Sequence, residues 1–266
     1  MKHDDLLVLD YTVNNGVARI ALDRTAARNA MNQGVADELY DVAQRVSHDR
    51  TVRAVLFVGN GKVFSVGGDI EVFASTPADE LPETLTRMAG RYHDALRTFA
   101  RLDVPIVAAV HGAVAGGALG LIYTADIVLA AEGTKFATGF AAIGLSGDGG
   151  NSWFLPRLVG TRRAAELYFE DRVLDAREAA DWGLVTRVVS CADLTDHADS
   201  VARRLASGPT KAYGAMRQLF WQSSTTSLAD HLADEVAALG RVSATTDTVN
   251  AVASFTNKQQ PTFEGK

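Results

Sequence analysis

Cysteine and proline are scarce in this chain of 266 residues, which has one cysteine, Cys191, and six prolines. A single cysteine excludes an intrachain disulfide, and such usage is typical of proteins from a reducing compartment. The first ten residues, MKHDDLLVLD, carry acidic side chains where an export signal needs an apolar run. We therefore expect a cytoplasmic protein.

The sequence also has few of the patterns that mark nucleotide, metal or nucleic-acid sites. No G-x-G-x-x-G opens a helix, and no G-x-x-x-x-G-K-[ST] is present. No His, Cys, Asp or Glu cluster has metal-ligand spacing, so no metal is predicted. The formal net charge of −6 disfavours binding to nucleic acid or to an acidic membrane surface.

One long stretch, from Val104 to Ala125, has no Asp, Glu, Lys or Arg at all. Its length matches the roughly 20 residues that a membrane helix needs. Pro105 and four glycines argue against a continuous helix, however. Ile106–Val110 is a run typical of an interior strand, and we expect a helix to begin near Gly116 and Gly117.

The rest of the chain alternates between strand and helix patterns up to about residue 193 and is helical afterwards. Asn14-Asn15-Gly16 predicts a hairpin turn between two β-rich runs. Residues 74–82 are predicted to form a loop. We expect a mixed α/β core over residues 1–205 and a helical region over 206–266. Two apolar helix faces support the helical assignment: Leu194, Ala198, Val201 and Leu205, and Leu228, Leu232, Val236 and Leu239.

Two glycine pairs, Gly67-Gly68 and Gly116-Gly117, each lie between a predicted strand and a predicted helix. Either pair alone could be a tight turn. Two such corners together could also direct one N–H group each at a carbonyl oxygen that gains negative charge.

Several motifs in order resemble the crotonase (enoyl-CoA hydratase/isomerase) superfamily over nearly the whole chain. The resemblance implies a spiral core of strand-strand-helix units, a helical C-terminal region, and assembly as trimers or pairs of trimers. It also implies a coenzyme A thioester ligand whose carbonyl lies in an oxyanion hole formed by the amides of Gly68 and Gly117. The motifs are FSVGGDI, PIVAAVHGAVAGGALGLIYTADIVLAAEGTKF, IGLSGDGGNSWFLPRLVGTRRAAELYF, AADWGLVTRVV and SFTNKQQPTFEGK.

The chain departs from the hydratases of this superfamily at their two glutamates. By matching position, the first glutamate falls at Gly120 and the second at Phe140. Because neither residue is a carboxylate, the sequence argues against hydration by two glutamates.

One acidic position remains in this part of the chain, Asp148 in the SGDGG turn. An aspartate there could cap the next helix or simply belong to the turn. It could instead be a carboxylate in an apolar pocket, with its pKa raised so that it exchanges protons near neutral pH. The resemblance favours catalysis, because the isomerases of this superfamily, including the one of phenylacetate breakdown, have an aspartate at this turn.

His93 is the second candidate for chemistry. The chlorobenzoyl-CoA dehalogenases of the superfamily have a histidine at the matching position, together with an aspartate matching Asp148 and a glycine matching Gly120. There the aspartate attacks the ring and the histidine activates water. The tryptophan that orients that aspartate falls at Phe140, which has no N–H to donate. The sequence favours a half-exposed helix histidine over a catalytic base for His93.

For coenzyme A, the resemblance points to residues near both ends of the chain. It suggests Arg24 and Arg28, the segment Val66 to Ile70 that includes Asp69, and Phe255 with Lys258 from a neighbouring subunit. Arg28 or Lys258 beside a phosphate makes electrostatic sense. The arginines could also be solvated surface, and Phe255 could belong to the apolar face of the last helix.

We hypothesise an acyl-CoA enzyme that stabilises a thioester enolate and shifts a double bond with Asp148. No separate cofactor is expected, since coenzyme A is part of the substrate. The alternatives are an enoyl-CoA hydratase, dehalogenase-type nucleophilic catalysis, and an acyl-CoA binder without activity.

Overall fold

Two β-sheets form the centre of the computed structural model, which describes residues 6–266. The larger sheet pairs β1 with β2 in antiparallel fashion and is parallel from β2 onward. Its strands, in spatial order, are β1 (Leu9–Asn14), β2 (Val17–Leu22), β3 (Ala54–Gly59), β4 (Ile106–Val110), β6 (Ile127–Ala131) and β9 (Arg187–Val189). The smaller sheet consists of β5 (Ala113–Ala115), β7 (Lys135–Ala137) and β8 (Val173–Asp175).

Helices surround both sheets and make up the C-terminal part of the chain. Those up to residue 181 are α1 (Gln33–His48), α2 (Ile70–Ser75), α3 (Leu81–Ala100), α4 (Leu119–Thr124), α5 (Asn151–Leu158), α6 (Thr161–Phe169) and α7 (Ala176–Asp181). The last four are α8 (Leu194–Ala206), α9 (Thr210–Ser223), α10 (Leu228–Ser243) and α11 (Thr246–Thr256). The mixed α/β class and the helical C-terminal region predicted from the sequence are confirmed.

The uncharged stretch folds as the sequence suggests, with one addition. All five residues of β4 are buried, because α8 packs on one face of the sheet while α1 and α3 cover the other. A 3-10 turn, Gly116–Ala118, then leads into α4. The short strand β5 lies between them and was not predicted, because three residues with two alanines carry no clear strand pattern.

The predicted hairpin is confirmed, whereas the predicted loop is too long. Asn15 and Gly16 both have positive φ, 48° and 79°, as a tight two-residue hairpin turn requires. Within residues 74–82, α2 continues to Ser75 and α3 begins at Leu81. The helix α2 begins at Ile70, where the Asp69 side chain caps it by accepting a hydrogen bond from the Val72 N–H.

The buried side chains form two clusters on opposite faces of the larger sheet. The apolar face predicted for residues 194–205 packs onto β3, β4 and β6 and closes the smaller cluster. Leu228, Leu232, Val236 and Leu239 of α10 are exposed instead. In the part of the chain from residue 6 onward, no helix is both long and apolar enough to span a bilayer.

Candidate active site

A cavity of about 550 Å³ opens between α2, α3 and the two glycine corners. Its walls are mainly apolar, and His93 and Asp148 are among its few polar groups. A larger open groove of about 1150 Å³ lies elsewhere, between the ends of α1 and α3 and the chain terminus. We place the site in the smaller cavity because both glycine pairs and both candidate catalytic side chains border it or its rim. The apolar wall comprises Val66, Ile70, Phe73, Leu85, Met88, Phe140, Ile143 and Leu145.

The first corner, Gly67-Gly68, is held mainly by backbone hydrogen bonds, and the Gly67 N–H also donates to Ser65 Oγ (3.2 Å). Met31 N–H donates to Gly67 O (2.7 Å), and Asp69 N–H donates back to Met31 O (3.0 Å). Gly67 has a φ of +86°, which a side chain would oppose. Among the described residues, no acceptor is hydrogen-bonded to the Gly68 N–H, and Gly68 lines the cavity.

The second corner, Gly116-Gly117, is held by side chains as well as by the Leu119 N–H, which donates to both of its carbonyls. Asn151 Nδ2 donates to Gly116 O (3.2 Å), and the Tyr92 hydroxyl donates to Gly117 O (2.8 Å). Gly117 is the second residue of the 3-10 turn, and the first N–H groups of a helical turn have no acceptor within it. Its amide is therefore available to the cavity that Gly117 lines.

The two corners are in contact with each other. A Cβ atom built on Gly67 would lie 2.8 Å from Ala115 O, so only a glycine fits there. One built on Gly116 would lie 3.9 Å from the Gly68 nitrogen. The two glycine pairs, far apart in sequence, thus meet at the cavity, which both Gly68 and Gly117 line.

Asp148 is the first residue of a tight turn that precedes α5. Gly149 and Gly150 have φ of +62° and +77°, and Asn151 N–H closes the turn on Asp148 O (3.2 Å). Two successive positive φ values are typical of a type I′ turn and favour glycine. The helix begins at Asn151 with Gly150 as its N-cap, and no side chain caps it. The interpretation of Asp148 as an N-cap is therefore wrong.

The structure brings His93, Asp148 and the second corner together. His93 Nε2 is hydrogen-bonded to Asp148 Oδ1, with 2.5 Å between the two atoms. Gly149 N–H also approaches His93 Nε2, at 3.3 Å. The other carboxylate oxygen, Oδ2, lies 3.7 Å from the position that a Cβ of Gly117 would take. His93 is half-buried, with 39% of its side chain exposed, and Asp148 is 26% exposed.

The structure leaves no room for a carboxylate at the first glutamate position. A Cβ on Gly120 would lie 2.6 Å from Gly149 O and 2.8 Å from the Tyr92 hydroxyl. At the second position, Phe140 is buried and stacks on Tyr168, with 6.3 Å between the ring centroids. Asp148 is therefore the carboxylate nearest to the paired amides among the residues that line the cavity.

Two residues of this site were missed in the sequence, Tyr92 and Asn151. Both are buried, and both donate hydrogen bonds to backbone carbonyls that are distant in sequence. Burial, and to a smaller extent the negative charge of Asp148, raises the pKa of Tyr92 well above its ordinary value of 10. Its hydroxyl consequently keeps its proton at neutral pH and remains a donor to Gly117 O.

The residues predicted to bind coenzyme A are dispersed in this single chain. Val66 and Ile70 line the cavity. Arg24 Nη1 donates to Ala30 O (2.5 Å) and to Asp69 Oδ2 (2.9 Å), so this arginine braces the first corner. Arg28, at the turn after it, has a left-handed backbone, with φ of 52°.

Phe255 and Lys258 lie at the end of α11, away from the cavity lining. Phe255 is 86% exposed, and Lys258 follows in a turn with φ of 56°. Over the range 6–266, no three His, Cys, Asp or Glu side chains are grouped so that they could hold a metal ion.

Comparisons with known proteins fit this geometry. A sequence profile described as enoyl-CoA hydratase/isomerase matches residues 12–266. The chain belongs to the enoyl-CoA hydratase/isomerase family. The family resemblance predicted from the motifs is thereby confirmed. The family includes proteins described as isomerases and proteins described as hydratases.

Three curated relatives indicate the range of chemistry within this family. A trans-2-decenoyl-[acyl-carrier-protein] isomerase of Streptococcus mutans is 33% identical, over 96% of this chain and 97% of its own. A 1,2-epoxyphenylacetyl-CoA isomerase of Escherichia coli is 32% identical, with the same coverage. A 4-chlorobenzoyl coenzyme A dehalogenase of Arthrobacter is 34% identical over 80% of this chain and 78% of its own.

A solved structure supports the family fold. The crystal structure of a Mycobacterium abscessus protein, described as an enoyl-CoA hydratase/isomerase, superposes with a TM-score of 0.93 at 37% identity. The match covers 97% of this chain and all of that one. The crotonase-like architecture predicted from the sequence is confirmed.

Proposed function

We propose that this protein is an enoyl-CoA isomerase in which Asp148 moves a proton along the acyl chain. The observation that carries the proposal is the position of the Asp148 carboxylate, beside Gly117 in an apolar cavity. The hydratase glutamates are replaced by a glycine with no free space around it and by a buried phenylalanine. The geometry therefore supports one carboxylate acting as both acid and base.

The reaction begins with the thioester oxygen in the hole between the Gly68 and Gly117 amides. Asp148 takes a proton from C2 of a 3-enoyl thioester, and the electron pair of the C2–H bond delocalises onto the thioester oxygen. The same carboxyl group then returns the proton to C4, so the double bond moves from C3–C4 to C2–C3. Donors aimed at such an oxygen contribute roughly 3–4 kcal/mol each to the barrier reduction.

His93 is the proton partner of Asp148 in this scheme. The 2.5 Å contact between Nε2 and Oδ1 orients the carboxyl group and leaves Oδ2 directed toward the second corner. Since His93 is half exposed, it can also exchange the shared proton with solvent.

The test is the conversion of trans-3-hexenoyl-CoA to the conjugated 2-enoyl thioester, followed by absorbance. We expect Asp148→Asn to lower kcat by about 100-fold or more, because the amide cannot carry the proton. Asp181→Asn, at an exposed position in α7, is the matched control and should match the wild type. Full isomerase activity in Asp148→Asn would refute the assignment. Water addition to crotonyl-CoA by the wild type at a comparable rate would favour the hydratase alternative.

Dehalogenase-type chemistry is the second candidate, because the His93–Asp148 contact matches the residue pair of that mechanism. The Arthrobacter relative is described as a dehalogenase of this kind. Phe140 weakens this candidate, since its side chain has no N–H to orient the carboxylate. Single turnover of 4-chlorobenzoyl-CoA in ¹⁸O-labelled water separates the two, because only nucleophilic attack leaves label in the Asp148 carboxyl group.

An acyl-CoA binder without activity is the remaining alternative. It is favoured if acyl-CoA thioesters bind tightly while a broad panel, including 3-enoyl, 2-enoyl and haloaryl thioesters, shows no turnover.

We also propose that the protein assembles as a trimer or a pair of trimers. The apolar face of α10 and the side chains of Val249, Val252 and Phe255 on α11 are exposed in the single chain. A neighbouring copy that covers them would bring its Phe255 and Lys258 toward coenzyme A. Sedimentation should give three or six copies. Lys258→Ala should weaken CoA binding by several-fold, whereas Lys211→Ala, on α9, should not. The proposal would be contradicted if the protein sediments as a monomer and Lys258→Ala leaves its affinity for CoA unchanged.

A cytoplasmic location remains part of the proposal. Cys191 is exposed as a free thiol, in keeping with a reducing compartment. Cell fractionation tests it directly, and recovery of the protein outside the cytoplasmic fraction would contradict it.

A further inference from the structure

Each peptide group that offers an amide to the thioester oxygen is fixed through its carbonyl. A trans peptide is planar, and its C=O and N–H point in opposite directions. A hydrogen bond to the carbonyl of Gly67 or Gly116 therefore sets the direction of the next residue's N–H. The Gly67 carbonyl accepts from a backbone amide, whereas the Gly116 carbonyl accepts from the Leu119 N–H of its own turn and also from a side chain, that of Asn151.

Both the nitrogen and the oxygen of the Asn151 side-chain amide are hydrogen-bonded within the protein. One Nδ2 hydrogen goes to Gly116 O (3.2 Å) and the other goes to Asp148 O (2.6 Å). Its Oδ1 accepts from the Tyr123 hydroxyl (2.7 Å). The side chain is only 1% exposed, and Asn151 is also the first residue of α5. Asn151 therefore touches the backbone of the second corner and that of the Asp148 turn at once.

We propose, on the basis of the function above, that Asn151 is a positioning residue that couples the Gly117 amide to the Asp148 carboxylate. It sets the plane of the Gly116–Gly117 peptide and anchors the turn that presents Asp148. A hydrogen bond donated to a carbonyl also polarises the peptide and strengthens its N–H as a donor. Asn151 itself does not contact the thioester.

The role needs two donors and one acceptor on a short side chain, which asparagine provides. Serine offers a single donor. Aspartate keeps the shape and the acceptor for Tyr123 but has one donor when protonated and none when ionised. Asn151→Asp is therefore the most informative substitution, since pH switches the remaining donor on and off within one variant.

The experiment measures the carbonyl stretching band of hexanoyl-CoA labelled with ¹³C at C1 and bound to the protein. This saturated thioester has no double bond to move, so the band reports on the amides independently of isomerisation. We expect a shift to low frequency in the wild type that is constant with pH. In Asn151→Asp the shift should be smaller, and it should diminish further as pH rises and the new carboxyl group ionises.

Kinetics supply the second readout. We expect Asn151→Asp to lower kcat by roughly 10- to 100-fold, as a small misplacement of reacting groups does, with KM changed by no more than about threefold. Tyr123→Phe, which removes the donor to Asn151 Oδ1, should give an intermediate loss. Arg53→Gln is the control: Arg53 bonds Thr210 and Gly208 beside the larger groove, so this variant loses hydrogen bonds without touching the site.

A wild-type band shift and wild-type kcat in Asn151→Asp would overturn the inference and leave the isomerase proposal intact. A wild-type protein that shifts the band but catalyses no isomerisation would instead contradict the isomerase proposal and leave the inference about Asn151 intact. If Asn151→Asp does not fold, Asn151→Ser decides, with an unchanged band shift again counting against the role.

Discussion

The two glycine corners present the same chemical group to the cavity, a backbone N–H, but they are held in different ways. Both carbonyls of the second corner accept from buried side chains, Tyr92 and Asn151, in addition to the Leu119 N–H. The Gly67 carbonyl of the first corner accepts from the Met31 backbone instead, while Ser65 Oγ accepts from the Gly67 N–H and the Arg24–Asp69 ion pair braces the corner. A carbonyl held by the backbone tolerates changes of side chain, whereas one held by a side chain can be adjusted by single substitutions. The second corner is also the one that contacts Asp148.

The largest effect should come from Gly149→Ala, which disturbs the second corner and the Asp148 turn together. The new Cβ would lie 2.6 Å from Gly117 O, and Gly149 has a φ of +62°. Backbone strain and overpacking together should lower the free energy of unfolding by about 2–5 kcal/mol. Gly133→Ala is the control, because φ is +82° but no atom lies within 4 Å of its Cβ position. Urea unfolding should show a loss of only about 1–2 kcal/mol there, and equal losses would contradict the crowding.

A smaller loss is expected at Gly120, where the second corner meets Tyr92. Gly120→Ala should lower the free energy of unfolding by about 1–3 kcal/mol, since the methyl group would press on Gly149 O and the Tyr92 hydroxyl. Gly90→Ala, on the exposed face of α3 with no neighbour within 4 Å, should instead raise it by about 0.5–1 kcal/mol. Gly120→Glu should not add water to crotonyl-CoA. A Gly120→Ala variant as stable as the wild type, or addition of water to crotonyl-CoA by Gly120→Glu, would show that a side chain fits at position 120.

Alkaline pH should destabilise the protein through Tyr168, whose hydroxyl lies beside Gly147, the residue before Asp148. Burial, and to a smaller extent the negative charge of Asp148, raises the pKa of Tyr168 to about 12 in the folded state, against 10 in the unfolded state. Above pH 10 the unfolded state loses this proton first, so stability falls as pH rises from 10 to about 12. Tyr168→Phe should flatten this part of the stability profile measured by urea unfolding. An unchanged slope in Tyr168→Phe would show that the tyrosine is not its source.

The smallest effect on kcat is expected at the first corner. Arg24→Gln leaves the Asp69 carboxylate, which is only 8% exposed, without its cation, so the free energy of unfolding should fall by about 1–3 kcal/mol. Because Met31 still holds Gly67, kcat should change by no more than about threefold. A loss in kcat as large as that of Asn151→Asp would show that the first corner depends on Arg24 as strongly as the second depends on Asn151.

The same contrast explains how much of the molecule could be predicted from the sequence. The strand over 106–110 and the hairpin at Asn15-Gly16 follow from local patterns, an uncharged β-branched run and residues that tolerate positive φ. The glycine corners follow from their position between strand and helix patterns, whereas the role predicted for Asp148 follows from motifs that resemble a known family. Nothing in the sequence tests the assigned roles of these site residues, which stay predictions.

Tyr92 and Asn151 could not be predicted, because their partners are remote in sequence. Tyr92 bonds a carbonyl 25 residues away, and Asn151 bonds one 35 residues away. Their neighbours give no pattern that distinguishes them from ordinary helix residues. The extent of α2 was missed for a different reason, since six helical residues are too few for a periodic pattern.

The most direct test is a crystal structure of Asp148→Asn with bound trans-3-hexenoyl-CoA, since this variant should hold the substrate without converting it. We predict that the thioester oxygen lies about 2.7–3.1 Å from both the Gly68 and the Gly117 nitrogen atoms, with C2 facing residue 148. A thioester oxygen that contacts neither amide, or a C2 atom directed away from residue 148, would contradict the account.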